Sequence, residues 1–198
     1  MLDRTNFYAI QNRETKDLIF IKELCVNNKE KDIIKYKKIY KEIYFFIKLK
    51  KYKYFSKNVE FHLSENKNYA FLITRGTLSL NKLIISKKFD YSKKKELIKR
   101  IIYQITFGLF ILHSNNIIHH DIKPSNIVIN EDWKISIIDF GSAIFKDEKS
   151  YNYTLSYSGL EFLINYNQNV DEKFDMWGLG VIILELYLKE NNILNKKV

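Results

Sequence analysis

One stretch constrains this chain more than any other. His119-His120-Asp121-Ile122-Lys123-Pro124-Ser125-Asn126 runs directly into the apolar triplet Ile127-Val128-Ile129, and Asp139-Phe140-Gly141 begins thirteen residues after Asn126. The fold must therefore set two carboxylate-bearing loops beside short apolar strands. Asp121 and Asp139 suit a shared site for a hard cation, because Mg2+ prefers oxygen ligands, and Asn126 can add a carbonyl oxygen. Lys123 can offset phosphate charge. Capping would explain a single Asp in a turn. The joint spacing of two carboxylates, an amide and a lysine points instead to a chemical site.

The flanking sequence predicts mixed secondary structure. Residues 6–10 and 18–24 read as strands around a turn at Asn12 to Lys16. Over residues 32–50, Ile33, Ile34, Tyr36, Ile39, Tyr40, Ile43, Phe46 and Ile47 fall at helical spacing. Residues 59–63 and 69–74 predict a strand pair. Residues 93–115 repeat the helical pattern through Leu97, Ile98, Ile101, Ile102, Ile105, Leu109 and Leu112. Short strands are expected at 117–118, 127–129 and 135–138, and Asp175 to Leu188 is apolar almost all round, as in a buried helix. Strands with one helix, followed mostly by helices, predict an α+β protein with two lobes.

With these residues in place, the chain resembles the eukaryotic-type serine/threonine protein kinase family. The likeness runs from about residue 5 to residue 190 in family order. Phe7-Tyr8-Ala9-Ile10 and Leu18 to Lys22 look like the second and third strands of the small lobe. Gln104 to His113 looks like the helix leading into the catalytic loop, Glu161 like the glutamate closing the activation segment, with Thr154 seven residues earlier, and Asp175-Met176-Trp177-Gly178-Leu179-Gly180 like the start of the central helix. The resemblance implies one kinase domain over 1–198, with a β-rich N-lobe carrying one long helix (1–74) and a mainly helical C-lobe (75–198) ending after the central helix. It also implies ATP and Mg2+ as cofactors and a protein substrate.

By the same resemblance, Asp121 would orient the attacking hydroxyl and take its proton, and Lys123 would contact the transferring phosphoryl group. Asn126 and Asp139 would hold Mg2+, while Lys22, positioned by Glu42, would bind the ATP phosphates. Phe7, Phe20, Leu72 and Val128 would line the nucleotide pocket. His119, Phe140 and Phe46 would pack between the lobes, and Asp175 would bind the catalytic-loop backbone. His113 reads as a packing residue.

Four departures from the family pattern carry expectations. Only Met1 to Thr5 precede the first recognisable strand, without a glycine, so the first strand and the Gly-rich phosphate loop are expected to be missing. Phe20 lies two residues before Lys22, on the same strand face, and Phe7 replaces a usual valine, so their rings are expected to narrow the adenine site. His120 stands where an arginine commonly meets a phosphorylated activation loop, and would be a weaker, pH-dependent partner for it; Ser150, Tyr151, Tyr153, Thr154 and Ser156 lie in that region. Finally, the chain reads as truncated at its C-terminal end too. Glu161 would then be a buried carboxylate without its arginine, and Val181, Ile182, Ile183, Leu184 and Leu186 could not all be covered. That patch implies a protein partner or self-association.

Composition narrows the alternatives. The formal charge of +10 comes from lysines spread along the chain with no RNA-binding or zinc-ligand spacing, so nucleic acid is not the expected partner. Apolar runs are broken by Lys or Glu, which excludes a membrane helix. A single cysteine, Cys25, suits an intracellular location. The leading reading is a serine/threonine kinase. The alternative is a catalytically weak or inactive pseudokinase that binds and inhibits another kinase or its substrate.

Overall fold

A computed structural model describes residues 5–11, 18–25, 32–56, 59–63, 69–76, 78–86, 95–146, 148, 154–164 and 170–190. Strands β1 (Thr5–Gln11), β2 (Leu18–Cys25), β3 (Val59–Leu63) and β4 (Tyr69–Gly76) form one antiparallel sheet in the order β1-β2-β4-β3. Helix α1 (Asp32–Leu49) falls between β2 and β3. The second part of the chain opens with β5 (Leu78–Ser79), α2 (Leu80–Ile85) and the long α3 (Lys95–Ser114). Then come β6 (Ile117–Ile118), β7 (Ile127–Ile129), β8 (Ile135–Ile137) and β9 (Ile144–Phe145), and the chain closes with α4 (Leu160–Ile164) and α5 (Glu172–Glu190). The expected α+β plan is present. No clear sequence signal marks β5, α2, β9 or α4, because two-residue strands and one-turn helices are too short to show a period.

Helix α3 buries the face its spacing predicts, whereas α1 buries Ile39 and Phe46 of its expected face and turns Tyr40 and Ile47 of that face to solvent. On α1, Glu42, Phe45, Phe46 and Leu49 are buried while Tyr40, Tyr44 and Ile47 are exposed. On α3, Ile98, Ile101, Ile105, Leu109 and Leu112 are almost wholly buried, in one core with β7, β8 and the inner face of α5. The segment after α1 ties the two parts together. Ile137 N–H donates to Tyr54 O at 2.9 Å, and Phe55 bridges Ile137. Helix α1 is thereby anchored at its C-terminal end to the strands that follow the loop from His119 to Asn126.

Helix α5 is less buried than its composition suggests. Leu179, Ile182 and Leu186 are buried, Val181 and Ile183 are half-buried, and Met176, Trp177, Leu184 and Tyr187 are exposed. The expectation of an uncovered apolar strip thus holds for Leu184 among the named residues. The inner face packs closely: a Cβ at Gly178 would come within 2.6 Å of Ile122 O, so only glycine allows α5 to approach the loop that carries Asp121. No helix among the described residues is long and apolar enough to cross a membrane.

Candidate active site

The loop that carries Asp121 is held from below by Asp175, at the N-terminal end of α5. Its carboxylate is fully buried and accepts from His119 N–H at 2.8 Å, His120 N–H at 2.9 Å and the His113 ring Nε2 at 2.9 Å. His113 is thus a hydrogen-bonding support of the loop as well as a packing residue. His120 has a φ of 64°, in the left-handed region that a residue with a Cβ rarely adopts. Two amides converging on one carboxylate hold that turn.

Above this support, four side chains meet. Thr154 Oγ1 donates to Asp121 Oδ1 at 2.6 Å, and Lys123 Nζ lies 2.7 Å from Asp121 Oδ2 and 2.9 Å from Thr154 Oγ1. Asn126 Nδ2 donates to Asp121 O at 2.8 Å and to Asp121 Oδ2 at 3.0 Å. Thr154 was visible in the sequence only through its spacing before Glu161; its bonds to Asp121 and Lys123 close a loop across more than thirty residues of chain.

A second cluster forms where β2, α1 and the Asp139 loop meet. Lys22 Nζ lies 2.8 and 2.9 Å from the two carboxylate oxygens of Glu42 and 2.7 Å from Asp139 Oδ1. The Gly141 N–H also donates to Asp139 Oδ1, at 3.3 Å. A Cβ on Gly141 would stand 2.6 Å from Lys22 Nζ, so glycine is needed for the lysine to reach this place. Ile138 N–H donates to Asn126 O at 3.0 Å, which ties the second cluster to the first through the backbone. Phe140 is buried, its ring 5.0 Å from Phe46 and 5.1 Å from His119, as the resemblance implied.

Comparison with known proteins decides what this arrangement belongs to. The protein kinase domain matches residues 5–197 of the chain. The chain belongs to the protein kinase domain family. It is 44% identical over 91 residues to mitogen-activated protein kinase 14 of Xenopus laevis, covering 43% of this chain and 24% of that protein. It is 37% identical over 109 residues to mitogen-activated protein kinase HOG1 of Scheffersomyces stipitis, covering 54% of this chain and 27% of that protein. With mitogen-activated protein kinase pmk-1 of Caenorhabditis elegans the identity is 40% over 91 residues, covering 45% of this chain and 24% of that protein. The chain spans about a quarter of the length of these curated relatives.

In this kinase domain one cation, Lys22, serves two carboxylates, and their environments divide its effect unequally. Burial pushes the Glu42 carboxyl up to about 7, with the nearby Asp139 charge adding to the rise and Lys22 opposing it. Burial also works against the charge on Asp139, but Lys22 and the Gly141 amide outweigh it and hold the carboxyl below its usual range. Burial likewise opposes the charge on Lys22, and the two carboxylates overcome it and raise its pKa. Near neutrality Lys22 is therefore charged and Asp139 ionised, and Glu42 is the member of the trio that titrates.

A testable pH dependence follows. The Glu42 pKa lies above its ordinary value of 4.5, so its contribution to stability is fully present below about 4.5 and is lost as pH rises through about 7. In Mg2+-free buffer, wild type should lose stability relative to Glu42→Gln between those limits, by up to about 3 kcal/mol. Asp139 acts in the opposite direction, below its ordinary 3.8, and Lys22 above its ordinary 10.5, both outside this window. Urea unfolding of both proteins across this range measures the difference. A constant difference would mean that folding leaves the Glu42 pKa at its ordinary value.

The kinase domain's oxygen donors suit a hard cation. The bonds from Lys22 and Gly141 both fall on Asp139 Oδ1 and do not engage Oδ2, and Asn126 uses its amide nitrogen toward Asp121. Asp139 Oδ2 and Asn126 Oδ1 are the donors these bonds leave for Mg2+, which commonly takes one or two protein oxygens and completes its shell from phosphate and water. Among the described residues there is no group of three or more His, Cys, Asp or Glu that could hold a metal ion.

The remaining sequence expectations divide. Pairing of Phe7 with Lys22, Lys22 with Leu72 and Phe20 with Thr74 puts backbone positions 7, 20, 22 and 72 on one sheet face. The side chains of Phe7, Phe20 and Leu72 lie outside the described residues, as do Met1 to Arg4, Ser150, Tyr151 and Tyr153. Val128 is buried in β7, paired with Ser79 and Ser136. Two expectations are corrected. The His120 ring is fully buried, 4.2 Å from Phe174, because its left-handed backbone turns it into the core; it is not available to a loop phosphate. Glu161 is exposed on α4, so it is not a buried carboxylate in need of a partner.

Proposed function

We propose that the chain carries the nucleotide and phosphotransfer site of a serine/threonine protein kinase. The observation that carries this reading is the placement of Asp121 in one hydrogen-bonded group with Lys123, Asn126 and Thr154, joined through Asn126 to the loop on which Asp139 meets Lys22 and Glu42. In the reaction, a protein hydroxyl gives its proton to Asp121, and its oxygen bonds to the γ-phosphorus of ATP. The bond from that phosphorus to the β–γ bridging oxygen breaks, and ADP leaves. Lys22 holds phosphate oxygens at the start, and Lys123 meets the charge on the phosphoryl group in transit. Bound at Asp139 and Asn126, Mg2+ would neutralise further negative charge on the phosphates. Little else is required, since phosphoryl transfer rests on positioning and electrostatics.

The same reading takes Phe7, Phe20, Leu72 and Val128 as the apolar lining, with Phe7 and Phe20 narrowing it. An intracellular location rests on the lone cysteine and not on the fold. A second reading, a non-catalytic module that docks on another kinase or its substrate, is favoured by the exposed apolar strip Met176, Trp177, Leu184 and Tyr187 on α5.

Thermal unfolding with and without Mg-ATP separates these readings at the first step. Nucleotide at about 100 times its dissociation constant should stabilise the chain by roughly 2.7 kcal/mol. A Mg2+-dependent rise that disappears in Asp139→Ala, followed by phosphate transfer to a protein acceptor, is the expected result. A folded chain with no rise would reject the kinase reading in favour of the docking module.

A further inference from the structure

Lys41, one residue before Glu42 on α1, meets the chain again just after the Asp139-Phe140-Gly141 loop. Its Nζ contacts Glu148 Oε2 and lies 5.6 Å from the centre of the Phe145 ring and 6.0 Å from that of Phe45. The carboxylate is aimed by a tight turn. Phe145 N–H donates to Glu148 Oε2 at 3.1 Å, and Glu148 N–H donates back to Phe145 O at 3.1 Å. The Phe145 ring packs 5.1 Å from Phe45 and 5.9 Å from Tyr44, and its strand β9 pairs with β6, immediately before His119. Helix α1 is thus gripped on two sides by one segment, with Phe140 against Phe46 on one and Phe145 with Glu148 on the other.

We propose that Lys41 and Glu148 form a built-in strap that holds α1 where Glu42 can position Lys22, so that both are positioning residues for the nucleotide site. The negative charge that secures the helix comes from a side chain of the segment itself. The burial of His120 fits this, since it removes that ring as a receptor for an added phosphate. Side-chain exposures of 28% for Lys41 and 43% for Glu148 set the size of the effect. A pair this exposed is screened by solvent and adds little to global stability. It can still bias the docked position of α1 by roughly two- to fivefold.

The consequence for ATP rests on the kinase reading above; the strap itself does not. The test uses Lys41→Glu, Glu148→Lys and the charge-swapped double variant. Hydrogen exchange of the α1 amides in nucleotide-free protein should quicken by roughly two- to fivefold in each single variant and return toward wild type in the double, with the unfolding midpoint nearly unchanged. Mg-ATP affinity should weaken and recover in parallel, with kcat at saturating ATP little changed. Unchanged exchange in the single variants, or no recovery in the double, overturns the strap. Exchange that responds as expected in a chain that never binds Mg-ATP upholds the strap and rejects the kinase reading.

Discussion

In Asp175→Ala, chemical unfolding should show a loss of about 3–5 kcal/mol, comparable to breaking a buried charged network. The carboxylate is fully buried and accepts two backbone amides and one imidazole. Removing it leaves His119 N–H and His120 N–H in a place that water does not reach, at about 1–3 kcal/mol for each unsatisfied donor. It also removes what holds His120 at its φ of 64°. Asp175→Asn should fall between the two, because the amide keeps one acceptor oxygen but turns an NH2 toward a donor. Urea titration of the three proteins decides the matter; a loss under about 1 kcal/mol in the alanine variant would mean that the loop is held by other contacts.

The largest kinetic effect is expected from Asp121→Asn. Loss of a general base typically costs about 10²–10⁴ in rate. The amide cannot take the proton of the attacking hydroxyl, although its oxygen can stay toward Asn126 and Lys123 with its NH2 toward the Thr154 hydroxyl. Nucleotide affinity should change little, because Lys22, Glu42 and Asp139 form a separate side-chain cluster. The expected signature is therefore a fall in kcat with an ATP KM near wild type. Retained phosphate transfer in this variant would remove Asp121 from the chemistry. A cellular effect that survives the substitution would favour the docking reading.

Much of the candidate site was legible before any fold was known. The segment from His119 to Asn126 and the Asp139-Phe140-Gly141 triplet state their chemistry in their residue types. The strand and helix periods around them put Lys22 on a strand and Glu42 on a helix, while the burial of Glu42 came only with the fold. Other contributors carried no local mark. Lys41 reads as one more lysine in a basic chain, and Glu148 as a loop acid. Thr154 is marked only by its spacing before Glu161, which says nothing of its bonds to Asp121 and Lys123. Each gains a role only from a neighbour far away in the chain, which no period or motif encodes. His120 and Glu161 were misjudged for the same reason. Whether a side chain is buried depends on the direction in which its backbone turns and on what packs there.

The sequence by itself determined the α+β plan, the family and the set of polar groups available for chemistry, because these depend on local spacing and residue type. Tertiary structure alone decided how those groups share charge. Lys22 and Asp139 are 117 residues apart in the chain and 2.7 Å apart in space, with Glu42 completing the trio. The division of one positive charge between a buried carboxylate and a more exposed one comes from Coulomb interaction and desolvation at those distances. Neither term exists until the chain has folded.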